Sequence, residues 1–441
     1  MIDRDASWVA SAAGGQLVAG AAGGLGPRRA VVDSREVEPG DLFVGLVGAS
    51  ADGGEFAAGA LEAGAWGALV GPHRAEELAG HASGAVIAAD NTLLALQRLA
   101  RAWRRVLDAR VIGITGSTGK TSTKDITRAL LATQGLNVHA NRQNWNTEIG
   151  LPLSILAAES GVEVLVLEMA MRGEGQIAEL VEIAEPDVGV IVNVGPVHLE
   201  LLGTVERVAA AKAELIRDLH PQAACVIPAS EPLLDPHRRH DIRTITFGEG
   251  GDVQLADFSP PLAEIDAYGD RISLELSFSE PHNVRNTLAA VAAATALGIE
   301  PQGRIEPEFS SYRGEVVELE GGVTVVNDCY NANPMSMRAA LDHLAGSPAE
   351  RRLAILGTMA ELGPDSSRFH REIGEHAAAL GIDVLVTVGE EALAFGEGFD
   401  GESHAVATPE EAGALLEELA RPGDRVLVKG SRAVGLERVL A

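Results

Sequence analysis

The chain has 441 residues, room for about three domains, and its 46% apolar residues, of which few are aromatic, promise mostly aliphatic cores. A formal net charge of −28 excludes a general nucleic-acid or membrane-surface binder, so an anionic ligand must be held by local cations and backbone amides. The two cysteines, Cys225 and Cys329, the acidic start Met1-Ile2-Asp3-Arg4-Asp5 and the lack of a bilayer-long apolar run read as a soluble, cytoplasmic chain with no membrane insertion.

Residues 1–108 read as a small α/β unit. Strands are expected at 31–35 and 42–47, split by the turn pair Pro39-Gly40, with a helix at 55–63 and a strand at 68–70. A helix over 91–107 carries basic residues near its end, as a C-terminus prefers. Residues 109–311 alternate strands (111–115, 162–168, 188–193, 223–227, 242–246) with helices (119–133, 175–184, 205–219), which predicts a parallel sheet. Residues 252–278 alternate apolar and polar side chains and predict antiparallel strands. The helix 283–297 is so rich in alanine that 289–296 should be buried between layers. Residues 312–441 repeat the rhythm, with strands at 323–327, 353–357, 384–388, 403–407 and 425–428 and helices at 336–345, 367–380 and 409–420. The expected class is α/β with three domains: a central P-loop parallel sheet, flanked by a small N-terminal α/β domain and a C-terminal Rossmann-like domain with an open parallel sheet.

The most informative stretch is Val111–Lys124, VIGITGSTGKTSTK. An apolar strand breaks into a Gly-rich turn, and a helix begins at Lys120 and Thr121. Glycines let N–H groups point at an anion, the helix start adds partial positive charge, and a lysine there reaches outer phosphates. Gly116, Ser117, Thr118, Gly119, Lys120, Thr121 and Ser122 are therefore candidate nucleotide contacts, and the Thr121 hydroxyl a candidate magnesium ligand.

Lysine occurs only at positions 120, 124, 212 and 429, although arginine is plentiful. A chain that writes ordinary cations as Arg keeps Lys where a compact ammonium, or an amine able to lose its proton, is needed. Lys124 could also be a plain residue on a helix face. Glu168 ends the apolar strand Val164-Leu165-Val166-Leu167 and is placed to share a magnesium ion. His198, after the next strand, could ligate a second metal or be an ordinary loop histidine. Lys212 could be solvated; if buried, its neutral amine could take up CO₂ to give a carbamate, an oxygen ligand. Asn141, Asn144, Asn146 and Thr147 crowd one loop with amide donors and acceptors. Asp328, Tyr330, Asn331 and Asn333 sit between a strand and a helix, where open α/β sheets bind ligands. Lys429-Gly430-Ser431-Arg432 offers another anion-compatible turn.

Together these pieces resemble the Mur ligase family over nearly the whole chain. The likeness rests on Asp33-Ser34-Arg35 with Pro39-Gly40-Asp41-Leu42-Phe43, the Thr-Gly-x-x-Gly-Lys-Thr loop, residues 144–152, Glu168, His198 and Ala211-Lys212. It continues through His282-Asn283-Val284-Arg285-Asn286, Met359-Ala360-Glu361-Leu362-Gly363 and Lys429-Gly430-Ser431-Arg432. The run Tyr330-Asn331-Ala332-Asn333-Pro334 resembles the branch that adds D-alanyl-D-alanine to UDP-N-acetylmuramoyl-tripeptide. The resemblance implies a UDP-sugar domain at 1–108, an ATP-binding domain at 109–311 and a ligase domain at 312–441. It implies ATP and two Mg²⁺ ions, with Thr121 and Glu168 on one ion and His198 and carbamylated Lys212 on the other. Lys120, Glu168, His198 and Lys212 would be catalytic, and Asn283, Asn286, Arg313, Asp328 and Asn331 would approach the nucleotide. Ser34, Arg35, Asn144, Asn146, Thr147, Tyr330 and Asn333 would contact substrate. The implied partners are the UDP-linked tripeptide and the dipeptide, acted on by a monomer in peptidoglycan precursor synthesis. A sister ligase adding one amino acid, a folylpolyglutamate synthase-like ligase or a P-loop regulatory ATPase are the alternatives. The chain has Met171-Arg172 where the family often has Ala-Asn, and Gly357-Thr358-Met359 where it often has Gly-Asp-Met.

Overall fold

The computed structural model describes residues 1–20, 23–48, 51–80, 83–142 and 144–440. Three sheets follow one another along the chain. The first orders its strands Gln16–Ala19, Ala85–Ala88, Gly67–Val70, Leu42–Val44, Ala30–Val31, parallel except for the first. The strand expected at 31–35 ends at Val31. Asp33 accepts the Arg35 N–H at 2.9 Å and turns the chain into the 3₁₀ segment Ser34–Glu36. The strand expected to reach Val47 stops at Val44, because the chain folds back and Gly53 N–H donates to the Leu46 carbonyl at 2.8 Å. The helix expected over 55–63 opens as a 3₁₀ turn and is α-helical over Ala57–Glu62. The helices Ala6–Ala13 and Pro72–Leu78 had no periodicity long enough to declare them.

The helix Thr92–Leu107 joins the first sheet to the second. Asn91 caps its start by accepting from Leu94 N–H at 2.9 Å. Its Trp103 is fully buried and donates to the Ala158 carbonyl at 3.0 Å. Arg104 donates to the carbonyls of Ala184 and Glu185, both at 3.0 Å, and so satisfies the end of the helix Gln176–Ala184. One apolar cluster runs from Val9 and Leu42 through Trp103 to Leu165 and Ile216, so the first and second units share a core.

Among the described residues the second sheet has ten strands. Its parallel part runs Val138–Ala140, Val164–Glu168, Arg110–Thr115, Val188–Ile191, Ala224–Pro228, Arg243–Phe247. The antiparallel part is Val253–Ser259, Leu262–Ala267 and Asp270–Leu276, as the alternation predicts, and Gly303–Ile305 closes the edge. Register places Glu168 beside Ile114, and Thr115 beside Ile191, so three strand ends meet at the phosphate-binding loop. The helix Pro281–Ala296 packs between layers, and Ala289 to Ala294 are fully buried.

The third sheet orders Glu315–Leu319, Val323–Asn327, Asp424–Lys429, Arg351–Gly357, Val384–Val388, Glu402–Val406. It is parallel except at Glu315–Leu319, an antiparallel edge strand whose exposed, charged residues gave no strand signal. Among the described residues no helix is long and apolar enough to cross a membrane.

Candidate active site

A cleft of about 1430 Å³ opens between the second and third sheets, at the carboxyl ends of their parallel strands. Ser117 to Ser122 line it with Asn144, Asn146, Thr147, Glu168 and His198. Asn283 and Asn286 join them on the same side, from the helix Pro281–Ala296, and Arg313, Asp328, Tyr330, Asn331 and Asn333 come from the other.

The phosphate-binding loop is held shut from behind by a residue the sequence did not single out. Asn193 Oδ1 accepts the N–H groups of Ser117 at 3.1 Å and Thr118 at 3.0 Å, and its amide donates to the Thr118 carbonyl at 3.1 Å. Its only sequence signal is an amide at a strand end before Gly195-Pro196. Ser117 Oγ adds a 3.0 Å bond to the Gly195 carbonyl. Gly119, at φ +76°, sits where a Cβ would come within 3.0 Å of Asn286 Oδ1, so only glycine lets the loop pass that helix. Lys120 Nζ folds onto the Gly116 carbonyl at 2.8 Å, and burial holds its ammonium below the ordinary lysine pKa.

Beside the loop, Thr121 Oγ1 donates to Glu168 Oε2 at 2.6 Å, and Asn146 donates to Glu168 Oε1 at 2.8 Å. Asn141 pairs with the Glu168 backbone on both sides, accepting from its N–H at 2.9 Å and donating to its carbonyl at 3.1 Å. Glu168, side chain and backbone, is therefore fixed by two asparagines of one loop. Lys124, left open as a surface residue, is buried and donates to the Asn141 carbonyl at 3.0 Å.

Lys212 is buried too, on the helix Val205–Asp218. Desolvation, reinforced by the nearby Lys120 charge, drives its pKa well below the ordinary lysine value. No carboxylate lies within salt-bridge distance of it among the described residues. Glu214, two residues on, accepts Gly175 N–H at 2.6 Å and Ala178 N–H at 3.0 Å, which locks this helix against Gln176–Ala184. His198 has left-handed backbone, φ +53°, and its Nδ1 hydrogen-bonds the Glu361 carboxylate. Burial, partly opposed by Glu361, holds the imidazole below the usual histidine pKa. Glu361 is a second residue given no role from sequence; nothing local to it signals that it reaches another domain.

Across the cleft, Lys429 Nζ is buried and contacts Asp328 Oδ2 at 2.6 Å and the Asn331 carbonyl at 3.0 Å. The Arg313 guanidinium stacks 4.1 Å from the Tyr330 ring centroid. Among the described residues Asn283 Oδ1 and Arg313 Nε are buried without a protein partner, as suits groups that bind a polar ligand. Asn333 has a structural occupation: it caps the helix Pro334–Gly346 in a reciprocal pair with Ser336. Ser34 and Arg35 do not line this cleft; Arg35 is exposed and forks onto Asp33.

A Mg²⁺ ion takes oxygen ligands, typically one or two carboxylates with phosphates and waters. Among the described residues no cluster of three or more His, Cys, Asp or Glu is placed to hold a metal. The Thr121 hydroxyl and Glu168 carboxylate, already in contact, fit an ion whose remaining ligands come from a bound phosphate. Lys212 fits as a carbamate, because an ammonium has no lone pair to donate and Mg²⁺ favours oxygen over an amine nitrogen.

Comparison with known proteins decides the family. Residues 114–294 match the Mur ligase middle domain, and residues 312–432 match the Mur ligase, glutamate ligase domain. The UDP-N-acetylmuramoyl-tripeptide--D-alanyl-D-alanine ligase of Synechocystis sp. is 38% identical over 93% of this chain and 90% of its own length. The chain belongs to the Mur ligase family. The enzyme of the same description from Bacillus subtilis is 36% identical over 92% of this chain and 91% of its own. The crystal structure of MurF ligase from Thermotoga maritima in complex with ADP superposes with a TM-score of 0.82 at 34% identity, over 94% of this chain and 96% of that one.

Within this Mur ligase the two departures from the common motifs have visible surroundings. Arg172 places Nε 3.5 Å from Glu361 Oε1. Thr358 contributes its carbonyl to Ser431 N–H at 3.0 Å, tying the ends of two neighbouring strands together.

Proposed function

We propose that this chain is an ATP-dependent ligase that joins D-alanyl-D-alanine to UDP-N-acetylmuramoyl-tripeptide in the cytoplasm. The observation that carries the reading is the near-full-length likeness to relatives of that one activity, with the motif residues of the second and third sheets gathered on one cleft. The assignment of residues 1–108 to the UDP-sugar, 109–311 to ATP and 312–441 to ligation belongs to the proposal, as do the roles of individual side chains.

A carboxylate oxygen is a poor leaving group, so an amine does not displace it at neutral pH. In the proposed reaction the tripeptide carboxylate attacks the γ-phosphorus of ATP, the bond to ADP breaks, and an acyl phosphate forms. The dipeptide amine then attacks the acyl carbon. A C–N bond forms, phosphate leaves with the C–O bond electrons, and the amine proton is released.

Little of this is covalent chemistry for the protein, so its part is positioning and charge neutralisation. Lys120 would swing from the Gly116 carbonyl onto the outer phosphates. Asn283, Asn286, Arg313, Asp328 and Asn331 would hold the nucleotide, the orphaned atoms of Asn283 and Arg313 gaining partners. Asn144, Asn146, Thr147 and Tyr330 would face the acceptor substrates. Thr121, Glu168, His198 and carbamylated Lys212 would hold two Mg²⁺ ions, which when bound neutralise charge on the phosphate oxygens. Closure of the cleft would exclude water that otherwise hydrolyses the acyl phosphate.

Phosphate release from ATP tests the reading. It should require the UDP-linked tripeptide and D-alanyl-D-alanine together. Release that ignores the dipeptide, or that accepts a single amino acid in its place, overturns it.

A further inference from the structure

His198 follows a strand of the second sheet, and Glu361 follows a strand of the third, yet His198 Nδ1 and a Glu361 carboxylate oxygen share a hydrogen bond. Both residues have left-handed backbone, φ +53° and +63°, which non-glycine side chains rarely adopt. Such conformations persist where the surroundings over-determine them, and they cluster at functional sites. The surroundings here are specific. Glu200 N–H donates to the Glu361 carbonyl at 3.2 Å. Arg172 Nε lies 3.5 Å from the other Glu361 oxygen. Gly363, at φ +67°, passes so near the Glu200 backbone that a Cβ would sit 3.3 Å from it.

With the carboxylate as the acceptor of this bond, the His198 proton is assigned to Nδ1 and Nε2 keeps its lone pair. A carboxylate behind a ring nitrogen fixes tautomer and ring direction in this way at metal-binding histidines generally. We propose that Glu361 is a positioning residue: it fixes the tautomer and aim of His198 across the cleft, so that the cation side of the site is complete only while the two domains touch. The exposed Arg172 places its charge beside the second Glu361 oxygen and favours the carboxylate turned toward the ring, which gives the Met171-Arg172 departure a function. The inference rests on the ligase reading, in which His198 faces a divalent ion.

The test uses the full chain and two readouts other than turnover: Mn²⁺ affinity in the presence of ADP, by electron paramagnetic resonance, and the His198 tautomer, by ¹⁵N shifts of labelled histidine. Glu361→Ala should weaken Mn²⁺ binding about ten- to a hundredfold and release the Nδ1–H tautomer. Glu361→Gln keeps an acceptor oxygen and should recover most of both. A Glu361→Ala chain that only melts earlier, with Mn²⁺ affinity and tautomer unchanged, overturns the proposal. If the alanine variant does not fold, Arg172→Ala decides. A several-fold loss of Mn²⁺ affinity is expected there, and none refutes the role. Wild-type chain that lacks dipeptide-dependent phosphate release fails the ligase reading instead, so the two failures are separable.

Discussion

Lys124 Nζ donates to the Asn141 carbonyl at 3.0 Å and lies 3.1 Å from Asp125 Oδ1. The other oxygen of Asp125 accepts Ser310 N–H and Oγ–H, both at 3.1 Å. One buried ion pair behind the phosphate loop thus grips two segments: the asparagine loop that brackets Glu168, and the run entering the third sheet. Breaking a buried pair by removing one partner strands the other charge and costs about 3–5 kcal/mol. Lys124→Met is therefore expected to lower the unfolding free energy in denaturant by that order. Lys124→Arg, which keeps the charge, should lose less. A methionine variant with the wild-type midpoint would mean that the pair contributes nothing net.

How far the sequence foretold this arrangement depends on the length of the signal. The strands that run into the phosphate loop, the antiparallel run before Pro281 and the parallel third-sheet strands were legible because each is an apolar or alternating run bounded by turn residues, whereas Val138–Ala140, Gly303–Ile305 and Glu315–Leu319 are too short or too charged to show. The strand at 31–35 misled because Val31 and Val32 look like its start, while the Asp33 side chain diverts the chain within one residue. The scarcity of lysine marked four positions, of which Lys124, Lys212 and Lys429 are buried and Lys120 lines the cleft. Asn193 and Glu361 were not legible, because their contacts join residues 75 and 163 positions apart. No local pattern encodes which side chains meet when two sheets face each other.

Lys212 offers a test of the carbamate. Its depressed pKa leaves much more neutral amine near neutral pH than an exposed lysine would have, and only the neutral amine adds CO₂. Lys212→Arg keeps a positive charge but cannot carry a carbamate. Turnover is expected to fall by about a hundredfold or more, the scale of losing a charge-stabilising group at the reacting phosphate. In wild-type enzyme, CO₂-depleted buffer should lower the rate and bicarbonate restore it. An arginine variant with near-normal turnover removes the carbamate from the mechanism.

His370 should make the third-sheet domain sensitive to acid. It is fully buried, Nε2 accepts Met359 N–H at 2.9 Å, and Nδ1 faces the Ser366 carbonyl at 2.7 Å, so the neutral ring satisfies both. Burial holds its pKa below the ordinary 6.5. Between the folded value and 6.5 the unfolded chain binds more protons than the native one, so stability rises with pH. The His370 contribution is full above the unfolded pKa and is lost as pH falls through the folded one. Gln at 370 can still accept and donate but does not titrate. His370→Gln should therefore flatten the decline in melting temperature below neutral pH, and a parallel decline in both proteins would assign the acid sensitivity elsewhere.

A tight contact between the second and third sheets' domains, Gly195 against Met335, gives the last prediction. A Cβ on Gly195 would lie 1.9 Å from Met335 Sδ and 3.0 Å from Met335 Cγ. Gly195 also carries the Ser117 hydroxyl, which accepts its N–H at 2.9 Å, so a shift here is passed to the phosphate loop. Met335 is flexible, and it can yield to one methyl group at a cost of about 1–3 kcal/mol for the overpacked contact. Gly195→Ala should lower kcat/KM for ATP by roughly tenfold, since each 1.36 kcal/mol is tenfold in rate. Adding Met335→Ala removes the colliding sulfur and should restore much of the loss. Steady-state kinetics of the two single variants and the double variant form a mutant cycle. Additive losses would show that Gly195 acts through its own backbone rather than through the domain contact.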